Sequence, residues 1–245
     1  MSMKISNMPT PLHIECKTPQ NLTTQPTFIH KTDKLLQEYN LKNHTKPSPP
    51  LLNPLDYQTY HSSLTIKDLQ KKNDINPLET KQLTLDMMHT MYPETDWTWI
   101  FTDGSKMKGK DTAGAGVYST LFSHYITLGS TSTAFDGEIK AIETALHNLT
   151  FRLQMFNKAV IFIDSQAAIQ AIASNHPTDD PVINECRKLI SLLQKQNKTI
   201  HLQWIPSHIG IIGNEMADQL AKKGTENLTF ANTVTLRNKI QEIKT

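Results

Sequence analysis

The chain has 245 residues and a net charge of +2, enough for one large domain or a domain with an extension, and without a basic field that would demand nucleic acid or exclude it. No window reaches the roughly 20 apolar residues of a membrane span. The opening MSMKISNMPTPLHIEC holds no apolar core of a secretory signal. Cys16 and Cys186 match neither a disulfide framework nor a metal-ligand spacing, which fits a reducing, intracellular setting without separating nucleus from cytoplasm. Asn-x-Thr triplets such as Asn148-Leu-Thr matter only in a secreted chain.

In chain order, proline and glycine first divide the sequence. Ten of 13 prolines precede Trp97, and all nine glycines follow it. Residues 46 to 57, KPSPPLLNPLDY, disfavour regular helix. HKTDKLLQEYN and SLTIKDLQKK offer short helical patches that bury little alone. Residues 1–95 thus read as a proline-containing, weakly structured connector, with a small helical domain as the alternative. From Trp97 the periodicity becomes legible. WTWIFTD is a strand, and AGAGVYST and SHYITLG are two more joined by short turns. TAFDGEIKAIETALHNLTFRL is an amphipathic helix with Ile139, Ile142, Ala145, Leu146 and Leu149 on one face. Thr133 and Asp136 resemble a capping box at its start. KAVIFID, nearly all apolar, predicts a strand buried on both faces. A helix from Ser165 and another through VINECRKLISLLQKQ follow, then a strand, TIHLQWI. A last helix spans Asn214 to Gly224, with Asn as N-cap and Gly closing it. The final residues, 227–245, form a tail in which LRNKIQEIKT carries a weak helical pattern. Three sequential strands followed by alternating helix and strand predict an α/β fold: a mixed five-stranded sheet with helices on both faces.

In such a sheet the parallel strands share a carboxyl edge. Asp103 lies at the end of the first strand and Asp164 at the end of the fourth, so neighbouring strands set their carboxylates side by side. Glu138, early in the first long helix, and Asp218, a turn into the last, can reach the same place. Like charges so close are costly without a cation. Mg²⁺ suits a few carboxylates with water and phosphate oxygens, and two ions roughly 4 Å apart can serve an in-line phosphoryl displacement. Singly, each acid also reads as a turn former, a solvated helix residue or a helix-start charge; their joint placement carries the metal reading.

In order, TDGS, GEIKAIETAL, FIDSQAAIQAI and WIPSHIGIIGNEMADQLAK resemble the motif set of the type 1 ribonuclease H family, over about residues 97 to 226. The style is most similar to ribonuclease H domains of non-LTR retrotransposon polyproteins, which follow a reverse transcriptase across a proline-containing connector. The resemblance implies a ribonuclease H-like fold over residues 96–226. It implies Asp103, Glu138, Asp164 and Asp218 as catalytic metal ligands for two Mg²⁺ ions, with Mn²⁺ as the alternative. It also assigns His208 to proton transfer and product departure. His208 sits in PSHIGIIG, where Gly210 and Gly213 permit motion and a neutral imidazole can exchange a proton near neutral pH. Glu215 reads as support for the helix start or for the ligands, and Ser165 as a helix cap rather than a nucleophile. The implied reaction is metal-dependent hydrolysis of the RNA strand of an RNA–DNA hybrid by a monomer, leaving a 5′-phosphate and a 3′-hydroxyl. The 2′-hydroxyl separates RNA from DNA.

Four features depart from the family pattern. Ala134 and Phe135 stand where polar amides usually touch RNA, and Asp136 adds charge near Glu138. Lys106, Lys108 and Lys110 replace the usual asparagine in the turn after TDGS. No basic, tryptophan-bearing handle lies between Asp164 and Thr199. Hybrid affinity of the isolated chain is therefore expected to be modest and salt-dependent, with a neighbouring polymerase supplying more. The rival is a non-catalytic retroelement remnant that folds and binds nucleic acid weakly. A transposase or integrase of related fold fits the GNExAD helix and its histidine loop poorly.

Overall fold

The structure, a computed structural model, describes residues 37–38, 60–67, 69, 76–107 and 112–226. The chain divides after Asn53; of the first unit only residues 37 and 38, both helical, are described. The expected tail 227–245, Lys108, Lys110 and most of the expected connector lie outside the described residues.

In the second unit, six strands form one sheet. In chain order they are β1 (His61–Ser63), β2 (Trp97–Lys106), β3 (Ala113–Ser119), β4 (Ser123–Leu128), β5 (Lys158–Ile163) and β6 (Thr199–Trp204). Across the sheet the order is β1-β6-β5-β2-β3-β4. The first four in that order run parallel, while β3 and β4 are antiparallel to their neighbours. Five helices accompany them: α1 (Pro77–Met91), α2 (Ala134–Thr150), α3 (Gln166–Ala173), α4 (Pro181–Lys195) and α5 (Ile212–Gly224). Helices α2, α3 and α4 bury their apolar residues in one core with Ile100, Ile161 and Ile163 of the sheet. On the opposite face a second cluster joins α1 and α5 through Met88 and Ala217 to Phe101, Val160 and Phe162. This is the mixed sheet with helices on both faces that the alternation of elements predicts.

Local chemistry explains the main elements. Strand β5 is apolar throughout after Lys158 because it lies inside the sheet with helices above and below. Helix α2 starts at a reciprocal capping box: Thr133 Oγ1 accepts from the Asp136 amide, and Asp136 accepts from the Thr133 amide. Ser165 caps α3, and Asp180 caps α4 ahead of Pro181 at its first position. The Arg187 guanidinium donates to the carbonyls of Ala171, Ile172 and His176, satisfying the end of α3.

Four expectations are corrected. Five strands become six because His61–Ser63 adds β1 in parallel to β6. Residues 60–92 are no loose connector. They supply β1 and α1, and Met88 and Tyr92 are buried in the second apolar cluster. The helical patch expected from Ser63 does not form over the described residues, since Ser63 is a strand residue hydrogen-bonded to His201. Finally, α5 begins at Ile212 with no side-chain cap, and Asn214 is a buried first-turn residue. Gly213, in its first turn, lies against the Phe101 ring, where an added Cβ would come within 2.2 Å.

Candidate active site

The site forms at the edge where β5 and β6 end, while β2, expected to stop at Asp103, continues beside β3 to Lys106. Thr102 of β2 is in register with Ile163 of β5, so Asp103 and Asp164, the next residue on each, are neighbours. Glu138 reaches them because helix α2 lies directly on β2. A Cβ at Gly104 would stand 2.2 Å from the Glu138 amide nitrogen, and one at Gly137 would stand 2.6 Å from the Gly114 carbonyl oxygen. Only paired glycines allow that approach. On the far side, α5 lies as closely on β3. A Cβ at Gly116 would be 2.1 Å from the Ala217 carbonyl oxygen, and Gly116 pairs with Asp103. This contact brings Asp218 to Asp103.

Asp103, Glu138 and Asp164 each present a carboxylate oxygen within 4.8 Å of the other two. Asp103 and Glu138 are buried, Asp164 partly so. Burial, followed by the charges of Asp164 and Asp218, pushes the Asp103 carboxyl up to about 8. Burial also raises Glu138 well above the usual carboxylate range, with Asp164 and Asp103 adding to it. Asp164 is raised by burial too, and His208 opposes the shift. Glu138 Oε2 is buried with no hydrogen-bond partner. An orphaned buried oxygen among hard, mutually repelling carboxylates is the donor set that suits a small divalent cation.

His208, Glu215 and Asp218 form a second group with ligand atoms within 4.8 Å of one another. His208 is exposed and held at a φ of 56°, in the left-handed region. Asp218 is buried, and Lys222, one turn on, donates to its Oδ2 at 2.6 Å. That ion pair raises the lysine's own pKa.

All five residues expected from the sequence come to this one edge. Glu215, expected only as support, lies beside His208 and Asp218. Lys222 was missed, although its i, i+4 spacing from Asp218 was readable. Lys106 donates to the Ser132 carbonyl at 2.8 Å, tying the β2 end to the loop before α2. Ser165 caps α3 as expected.

The chain is similar to several known proteins. A Ribonuclease H from Actinobacillus succinogenes is 31% identical over 147 residues, covering 55% of this chain and 93% of the relative. The human Ribonuclease H1 is 29% identical over 149 residues, covering 54% of this chain and 51% of that protein. Among solved structures, RNase H1 from the halophilic archaeon Halobacterium salinarum NRC-1 aligns with a TM-score of 0.41 at 20% identity, covering 52% of this chain and 96% of that one. The RNase H family model matches residues 95–226, a stretch that begins just before β2, ends just after α5 and contains all four acids and His208. The chain belongs to the RNase H family and is an enzyme of the ribonuclease H type.

Proposed function

We propose that this chain hydrolyses the RNA strand of RNA–DNA hybrids with two divalent ions, Mg²⁺ or alternatively Mn²⁺, held by Asp103, Glu138, Asp164 and Asp218. The observation that carries the reading is the set of three carboxylates within 4.8 Å, two of them buried, in a chain of this family. When bound, such ions neutralise charge on the scissile phosphate and lower the pKa of water. Asp103, next to Asp164 and Asp218, must give up its proton to serve as a ligand. The unpartnered Glu138 Oε2 is the oxygen with most to gain from a cation. His208, exposed on its loop, passes a proton to the departing 3′-oxygen and then leaves the product free to go. The RNA 2′-hydroxyl distinguishes the strand that is cut.

The same reading takes the chain as a retrotransposon-derived, intracellular monomer, or as one part of a polyprotein beside a reverse transcriptase. The proline-rich stretch at residues 46–57 supports that origin. The purified chain is expected to cut the RNA of a hybrid with Mg²⁺ and to stop on chelation, while Asp103→Asn is inactive. Equal cleavage by wild type and Asp103→Asn would refute the assignment.

A further inference from the structure

Helix α1 lies before the stretch that matches the family, yet it shares an apolar cluster with the loop that carries His208 and meets it through Lys81. Its partly buried Leu85 and fully buried Met88 share an apolar cluster with Ile205, Ile209 and Ile211, which bracket the histidine. Tyr92, just past the helix, fixes its far end. The tyrosine hydroxyl donates to Gln203 Oε1 at 2.8 Å, and its carbonyl accepts from Trp99 Nε1 at 2.6 Å. Lys81 meets the loop as well, its Nζ lying 3.3 Å from a Cβ built on Gly210.

The loop needs such a support. His208 at a φ of 56° and Gly210 at 77° both occupy the left-handed region. For an L residue such as His208 that conformation is strained, and it persists where surrounding packing over-determines it. Part of that packing comes from α1. We propose that α1 is a positioning element of the active site, with Leu85 a positioning residue that acts through His208. The proposal rests on the reading of His208 as the proton-transfer group. It gives residues 77–92 a role in turnover that the family match alone does not assign.

Leu85→Ala in the full chain is the test, because the side chain is only partly buried and its loss leaves the sheet core intact. Amide hydrogen exchange of residues 207–211 is expected to speed up roughly tenfold while β5 amides are unchanged. In hybrid cleavage, kcat is expected to fall roughly 5- to 10-fold with KM unchanged. In a His208→Ala background, Leu85→Ala is expected to cost nothing further. The volume-conserving Leu85→Met restores both readouts. Unchanged loop exchange overturns the proposal, as does an equal rate loss with and without His208. A chain that cuts no hybrid at all sinks the functional reading instead, and the exchange measurement still decides whether α1 holds the loop.

Discussion

Gly104 holds the contact that places Glu138. The atom nearest to its absent Cβ is the Glu138 amide nitrogen, at 2.2 Å, followed by the Ala134 carbonyl oxygen at 2.6 Å. Both are backbone atoms of the first turn of α2, which is fixed in turn by its capping box, so neither can swing aside as a side chain would. Gly104→Ala must therefore lift α2 off the sheet and carry Glu138 away from Asp103 and Asp164. Overpacking of this kind costs roughly 1–3 kcal/mol, and the value here belongs at the upper end. Urea unfolding measures the loss, and hybrid cleavage should fall with it. A variant with wild-type stability and activity would show that α2 is free to shift. The two aspartates were legible from sequence because each follows an obvious apolar strand stretch, although β2 runs on past Asp103 to Lys106 beside β3. Glu138 was legible because its helix was. Lys222 was not, since an i, i+4 acid–base pair on a helix is usually an exposed pair of little consequence, and only the fold shows that its acid is buried beside two others.

Among the elements, legibility followed apolar pattern. Strand β5 and helix α2 announce themselves because burial on two faces, or on one stripe, selects their residues throughout. Strand β1 has three residues, two of them exposed, and α1 buries only Thr84 and Met88 fully, so neither leaves a strong period in the sequence. What holds α1 is instead a few long-range contacts that no local window contains. Tyr92 is the clearest: it is 111 residues from Gln203, and both side chains are buried. Tyr92→Phe keeps the ring contacts with Trp97 and Phe162 and removes only the hydroxyl. It leaves Gln203 Oε1 buried without its donor, a loss of about 1–3 kcal/mol. Denaturant midpoints of wild type and variant give the number. A neutral substitution would mean that the hydroxyl does not anchor the end of α1.

At the scale of the whole molecule, two sets of buried titratable groups act on stability with opposite signs. His201, partly buried beside His61, is lowered to about 4 against an ordinary value near 6.5, chiefly by that burial. The stability it contributes is present above about 6.5 and is lost as pH falls toward 4, so it is silent above pH 7. Asp103 works the other way. Its folded value of about 8 lies far above the unfolded value near 3.9, so the folded chain keeps a proton that the unfolded chain has released. That contribution is complete below about pH 4 and disappears as pH rises through about 8; Glu138 and Asp164, also raised, add in the same direction. In chelator, stability is therefore expected to fall by roughly 2 kcal/mol between pH 6 and pH 8, with Asp103 as the main source. A divalent ion binds the deprotonated carboxylates, so saturating Mg²⁺ should flatten or reverse the slope. Asp103→Asn should flatten it without any metal. Urea midpoints at pH 6, 7 and 8, in chelator and in Mg²⁺, measure all three effects. A wild-type chain whose stability in chelator does not change over this range would mean that its acids are not held close enough to need a cation.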